Sequence, residues 1–243
     1  MTALRSRRPV VVTDVDGTLT EADRRLNGSA VTLVRRLERA GIPVVLATGN
    51  VLPVALALHR SLGLTGPIVA ENGGLILEAP SSARPKLHRL ARRAVALEAY
   101  RHLRSSGLPV RRLFTDRWRE TEVALEPSVP VGALRRALRG RPVSVESTGY
   151  AIHLMERGAG KLPAVRRALA SFGRTMADAV VLGDGDNDVG MLRAAGFSVS
   201  FPSASERARA AATYVTRRGF AAGFVEGVRA SGLLVHSGHR RPP

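Results

Sequence analysis

The chain has no cysteine among its 243 residues, and only two of its 37 basic residues, Lys86 and Lys161, are lysines. The first absence excludes disulfides, thiolate catalysis and cysteine-ligated zinc. Aromatic residues are scarce at 4%, so a core must be built from Val, Leu, Ile and Ala. No apolar run approaches the roughly 18 residues of a membrane span. The basic residues 1–8 lead into a short apolar segment that soon meets aspartates, which makes a poor signal peptide. A cytoplasmic protein with no membrane partner is expected. Acidic residues are also few, 20 against 37 basic ones, for a formal net charge of +17. Such a charge can attract nucleic acid. The arginines, however, are scattered in pairs such as Arg35-Arg36, Arg92-Arg93, Arg166-Arg167 and Arg217-Arg218, with no aromatic interleaving. Scattered charge reads as solvated helix faces, and a nucleic-acid partner is not expected.

What is present is apolar segments that stop abruptly. Pro9-Val10-Val11-Val12-Thr13, Pro43-Val44-Val45-Leu46-Ala47, Pro67-Ile68-Val69-Ala70 and Ala179-Val180-Val181-Leu182 are short, bounded by turn residues and apolar throughout. Such runs predict strands buried on both faces. Between them, Asn27 or Ser29 can cap a helix running to about Ala40, and a second helix is predicted from about Val51 to Leu62. Strand alternating with helix predicts a parallel sheet built from right-handed crossovers. The pattern changes after Leu75-Ile76-Leu77-Glu78. Residues 79–82 read as a linker, followed by a helix from about His88 to Ser105. Alternating segments at 111–115, 121–125, 143–146 and 151–155 then suggest half-exposed antiparallel strands. Parallel character returns with a helix from Lys161, and the tail 236–243 is expected to be disordered. The predicted architecture is α/β: a Rossmann-like core, 1–80 and 157–243, with an inserted α+β unit at 81–156.

In open parallel sheets, ligands bind beyond the carboxyl ends of the strands. Asp14, Asp16, Thr48, Asp184 and Asp188 would all meet on that rim. Clustered carboxylates repel unless a cation intervenes, and oxygen-only donors suit a hard ion such as Mg2+. Thr48, Gly49 and Asn50 precede a helix whose free N–H groups favour phosphate. Lys161 opens another helix and can balance both a phosphate and a carboxylate. These parts describe phosphoryl transfer to an aspartate.

Asp14-Val15-Asp16-Gly17-Thr18-Leu19-Thr20, Thr48, Lys161 and Gly183-Asp184-Gly185-Asp186-Asn187-Asp188 resemble, in order, the four motifs of the haloacid dehalogenase (HAD) phosphatases. The insertion between the second and third motifs resembles the type IIB cap. Ala47-Thr48-Gly49-Asn50-Val51, Glu71-Asn72-Gly73-Gly74, Thr115-Asp116-Arg117-Trp118-Arg119-Glu120 and the Gly149-Tyr150 to Met155 segment are similar to those of the archaeal-type phosphoglycolate phosphatases. The resemblance implies hydrolysis of a small phosphorylated metabolite, 2-phosphoglycolate. It implies Asp14 as nucleophile and metal ligand. Asp16 would be general acid and base and touch Mg2+ through its backbone. Asp184 and Asp188 would be metal ligands. Thr48, Gly49, Asn50, Lys161 and Asn187 would bind substrate. Another phosphatase substrate, a sugar phosphate or phosphoglycerate conjugate, is the alternative, and a nucleic-acid-binding protein on a phosphatase fold is the rival of another class. A homo-oligomer is compatible with the sequence.

Several residues keep two readings. An arginine of Arg117-Trp118-Arg119 can reach a substrate carboxylate, or the segment is a hairpin with a packed Trp and solvated arginines. His153 is a satisfied sheet histidine or a site residue. Glu71 and Asn72 orient Lys161, contact substrate or merely turn the chain. Asp186 lies within a motif but can face solvent.

Overall fold

In the computed structural model, which describes residues 6, 8–148 and 150–234, the run Val10–Thr13 forms β1 with all four side chains buried. β2 (Val44–Ala47), β3 (Ile68–Ala70), β9 (Ala179–Leu182) and β10 (Phe197–Ser200) are likewise buried along their whole length. Five such strands need cover on both faces, and the crossover helices supply it. These are α1 (Gly28–Arg39), α2 (Leu52–Leu62), α5 (Lys161–Ala170), α6 (Val189–Ala194), α7 (Glu206–Ala211) and α8 (Phe220–Ala230). With β4 (Leu75–Glu78), β5 (Lys86–Arg89) and β11 (Tyr214–Val215) the sheet has eight strands, in the order β11-β10-β9-β1-β2-β3-β4-β5. Pairing is parallel from β11 to β3 and antiparallel at β3-β4 and β4-β5. β1 is central: Val11 registers with Val44 on one side and Val180 on the other.

Local chemistry sets the helix limits. Asn27 caps α1 by accepting the N–H groups of Ser29 (2.8 Å) and Ala30 (3.2 Å). Ala30, Leu33, Val34 and Leu37 repeat at helical spacing and bury one face. Ser205 caps α7, accepting the Ala208 N–H at 3.1 Å.

The second unit has its own sheet, β6 (Val123–Leu125), β8 (Ile152–Glu156) and β7 (Val143–Ser147), antiparallel in the order β6-β8-β7. Leu103 of α3 (Arg93–Ser105) and Leu134 of α4 (Val131–Ala137) pack on it with Leu125, Ile152 and Leu154 in a separate apolar cluster.

Two expectations need correction. The helix expected from about His88 starts only at Arg93; Lys86–Arg89 is instead an edge strand, with Ile76 opposite His88 and Leu77 opposite Leu87. Its side chains are half-buried or exposed, because only one face of an antiparallel edge needs apolar cover. The strand expected at 111–115 is reduced to a bridge from Arg112 to Leu125, and Phe114–Trp118 is a tight 3-10 turn. Here Asp116 Oδ1 accepts the Ala124 N–H at 2.8 Å, so a side chain takes a bond that a ladder partner would make. The expected disordered tail, most of the basic N-terminus and Gly149 lie outside the described residues. Among the described residues no helix is long and apolar enough to cross a membrane.

The close approach of Gly73 ties the two ends of the core together. Its φ is +97°, and a Cβ there would collide with the carbonyl oxygen of Gly160, the residue before Lys161. Gly73→Ala is expected to lose about 1–3 kcal/mol in urea unfolding; an unchanged midpoint would show that this contact yields freely.

Candidate active site

Three adjacent parallel strands deliver their next residues to one rim. Asp14 follows β1, and its N–H donates to the Leu182 carbonyl at 3.0 Å, extending the ladder with β9 by one residue. Thr48 follows β2 and donates its N–H to Val69 O at 2.9 Å. Gly183 and Asp184 follow β9. Beyond Asp14 the chain must turn sharply beside Asp184. Gly17 does this with φ +77°, donating its N–H to Thr20 Oγ1 at 2.9 Å, and any Cβ there would strike the Asp184 carboxylate.

Lys161, the first residue of α5, is buried between carboxylates. Its Nζ donates to Asp14 Oδ1 at 2.8 Å and to Asp188 Oδ1 at 2.7 Å. The other oxygen of Asp188 accepts the N–H groups of Asp184 (3.1 Å) and Gly185 (3.0 Å), closing the loop after β9. Asp14, Asp184 and Asp188 each present an oxygen within 4.8 Å of the others. Three carboxylates thus share one ammonium. Burial pushes the Asp14 carboxyl well above its ordinary range, and Asp188 and Asp184 add to this against the pull of Lys161. Burial, then Asp188, pushes Asp184 up to about 7. Burial opposes the charge of Lys161, but Asp14 and Asp188 outweigh it and hold its pKa above the ordinary value. The donor set is all oxygen and short of positive charge, which fits a hard divalent cation.

Asp16 is exposed beside this trio. Its Oδ2 accepts from Asn50 Nδ2 at 2.7 Å, and Asn50 N–H donates to Thr48 Oγ1 at 3.0 Å. Asp14, Asp16, Thr48, Asn50, Lys161, Asp184 and Asp188 are therefore brought together. Asn187 is turned to Asn72, donating to its Oδ1 at 2.9 Å. Gly49 is linked through its carbonyl, which accepts from Arg119 Nη1 at 2.9 Å.

That last contact crosses from the second unit and belongs to a buried network. Glu122 accepts from Arg119 Nη1, from His153 Nδ1 (3.0 Å) and from Asn72 Nδ2 (3.1 Å). Burial pushes the Glu122 carboxyl up, but His153 and Arg119 outweigh it and hold it below its ordinary range. The sequence reading missed Glu122. Strand parity offered a signal: His153 registers opposite Ala124, two residues beyond Glu122, so both polar side chains share a face. Glu71 ties the same segment to the core, accepting the N–H groups of Glu120 (2.9 Å) and Thr121 (2.9 Å) and the Thr121 hydroxyl (2.6 Å). Arg117 is exposed and stacks on Phe114, and Trp118, half exposed, meets the Phe114 ring edge-on at 5.3 Å. Asp186 accepts from Ser205 Oγ (2.7 Å) and Arg207 (2.9 Å), away from the carboxylate trio. A cavity of 740 Å3 lies between the units, with Asp14, Asp16 and Asp184 on one side and Arg119, Thr148 and His153 on the other.

The profile of the haloacid dehalogenase-like hydrolases matches residues 11–114 and 132–226. The chain belongs to that family. The phosphoglycolate phosphatase of Methanothermobacter thermautotrophicus is 37% identical over 219 residues, 90% of this chain and 96% of its own length. A crystal structure of a Thermoplasma acidophilum protein superposes with a TM-score of 0.84 at 26% identity, covering 93% of this chain and 99% of its own. A HAD subclass IIB sugar phosphatase shares the fold, at a TM-score of 0.76 and 17% identity over 93% of this chain and all of its own. As a HAD-like hydrolase the protein has the carboxylate rim on which a metal ion of this family would sit.

An ion entering the trio must displace the proton that Asp184 holds below about pH 7. Metal affinity measured by calorimetry is therefore expected to rise from pH 6 to pH 8, with proton release on binding at the lower pH. Equal affinities at both would contradict the crowding of these carboxylates.

Proposed function

We propose that the protein is a Mg2+-dependent phosphatase that converts 2-phosphoglycolate to glycolate and phosphate through an aspartyl-phosphate on Asp14. The observation that carries the reaction is the contact of the buried Lys161 with Asp14 in the acidic rim. Support for the substrate comes from relatives such as the Methanothermobacter phosphoglycolate phosphatase, matched over 90% of this chain.

Lys161, Thr48 and the Gly49–Asn50 backbone would hold the phosphate, with Asn187 at its edge. Asp14, Asp184 and Asp188, with the Asp16 carbonyl, would bind Mg2+, whose charge offsets the repulsion between phosphate and Asp14. A carboxylate oxygen of Asp14 attacks phosphorus as the ester P–O bond breaks. Asp16 donates its proton to the leaving oxygen, and glycolate departs. The Asp16 carboxylate then takes a proton from water as that water attacks the aspartyl-phosphate, freeing phosphate and restoring Asp14. The Asn50 amide at 2.7 Å orients Asp16 for both transfers.

The α+β unit would act as the cap that closes over the cavity and excludes water. The division expected from the sequence, 1–80 and 157–243 for the core and 81–156 for the cap, is adjusted at one point: the cap is entered at about residue 90, because β5 pairs within the core sheet.

Phosphate release from a panel of phosphorylated metabolites tests the reading. Turnover should favour 2-phosphoglycolate over sugar phosphates and vanish in EDTA. Asp14→Asn should abolish it with an unchanged circular dichroism spectrum, and Asp16→Asn should slow it by about 10²–10⁴-fold. Mg2+-dependent turnover that favours a sugar phosphate would keep the mechanism and reject the substrate. Folded protein with no turnover on any member would reject both.

A further inference from the structure

We infer that Arg119 is the receptor for a carboxylate on the substrate, and so selects short phosphate monoesters that carry a second acidic group. The inference rests on the phosphatase reading and deepens it. Arg119 lines the cavity wall opposite Asp14 and Asp16, with its side chain 4% exposed. Nη1 is spent on Gly49 O and Glu122. Among the described residues its Nε, although buried, has no acceptor. A buried donor without a partner is costly, and a planar acceptor entering the cavity would relieve it. The guanidinium fork matches a carboxylate in shape and charge.

Position sets the length of the ligand. The carbonyl that Arg119 binds belongs to Gly49, between Thr48 and Asn50, and Asn50 holds Asp16. A phosphate resting against this loop therefore needs only a short linker to bring a carboxylate to Arg119. Glycolate supplies a single methylene. A sugar phosphate has no second anion to answer the guanidinium.

Arg119 is held from both units before any ligand arrives. Arg93 donates to the carbonyl of Arg119, to Asp116 O (2.8 Å) and to Asp116 Oδ2 (2.9 Å). Glu71 anchors the next two backbone N–H groups. Glu122 orients both Arg119 and His153, whose Nε2 makes only a long contact, 3.4 Å, with Thr148 Oγ1. Lys161 is committed to Asp14 and Asp188, so it does not supply charge on this wall. Arg24, also on the cavity, is exposed at its mouth and stacks on Tyr150 at 3.9 Å.

The test is steady-state kinetics of the full chain with Mg2+, on 2-phosphoglycolate, ethyl phosphate and p-nitrophenyl phosphate. Arg119→Gln is expected to raise KM for 2-phosphoglycolate by about 10–100-fold, the range for losing a charged hydrogen bond. Any loss through the Gly49 contact is common to all substrates, so the readout is selectivity: kcat/KM for 2-phosphoglycolate relative to that for p-nitrophenyl phosphate should fall by about tenfold or more. Arg119→Lys retains a cation against Glu122 and guards against misfolding; it should show the same selective loss because it lacks the fork. In the wild type, ethyl phosphate should be as poor a substrate as 2-phosphoglycolate becomes in the variants. Equal losses on all three substrates would assign Arg119 a structural role and overturn the inference. So would an unchanged KM in Arg119→Lys, or a wild type that treats ethyl phosphate and 2-phosphoglycolate alike. A wild type that prefers 2-phosphoglycolate while Arg119→Lys keeps that preference rejects Arg119 alone. In the metabolite panel above, a wild type that prefers a sugar phosphate over 2-phosphoglycolate rejects the substrate reading and this inference together.

Discussion

The buried ammonium of Lys161, 2.8 Å from Asp14 and 2.7 Å from Asp188, is the interaction on which the rest of the site depends. Charges this deep are stable only when paired and fully hydrogen-bonded, and losing one member of such a pair typically costs about 3–5 kcal/mol. The fold must therefore hold three distant segments in register: the end of β1, the start of α5 and the loop after β9. The sheet supplies the first and last as neighbouring strands, with Thr13 opposite Leu182. The start of α5 is fixed by the approach of Gly73 to Gly160, where no side chain could fit. What remains is an excess of carboxylate over cation. Burial, reinforced by that imbalance, lifts Asp14 and Asp184 above the ordinary carboxyl range and prepares the site for a divalent ion.

A second buried carboxylate, Glu122, does for the other wall of the cavity what Lys161 does for the rim. It joins Asn72 of the core to Arg119 and His153 of the α+β unit. Asn72 in turn accepts from Asn187 in the loop that carries Asp184 and Asp188. The two walls are thus linked by a continuous chain of polar contacts. The wall that carries the carboxylates and the wall that carries Arg119 are set relative to each other by these hydrogen bonds.

Much of this was legible in the sequence, for a physical reason. Strands buried on both faces are apolar throughout, so where they stop is visible, and in parallel sheets the stops are where ligands bind. Asp14, Thr48 and Asp184 stand at such stops, and Lys161 stands out as one of two lysines among 37 basic residues. The half-exposed elements were harder. Lys86–Arg89 has two basic ends and one apolar residue, so nothing marked it as a strand; only its pairing with Leu75–Glu78 makes it one. Residues 111–115 alternate like a strand, but the Asp116 side chain takes the Ala124 N–H and the chain turns. The hub at Glu122 joins residues far apart in the chain, and strand parity puts Glu122 and His153 on one face only once the pairing of β6 with β8 is known.

The central claim is that Asp14 attacks phosphorus and carries the phosphoryl group covalently. The most direct test is a single-turnover reaction with 2-phosphoglycolate radiolabelled in its phosphate, quenched in acid and digested to peptides. The account predicts transient label on the peptide containing Asp14, released by hydroxylamine as an acyl phosphate would be and missing in Asp14→Asn. Turnover that leaves the protein unlabelled throughout, or label on a different residue, would contradict it.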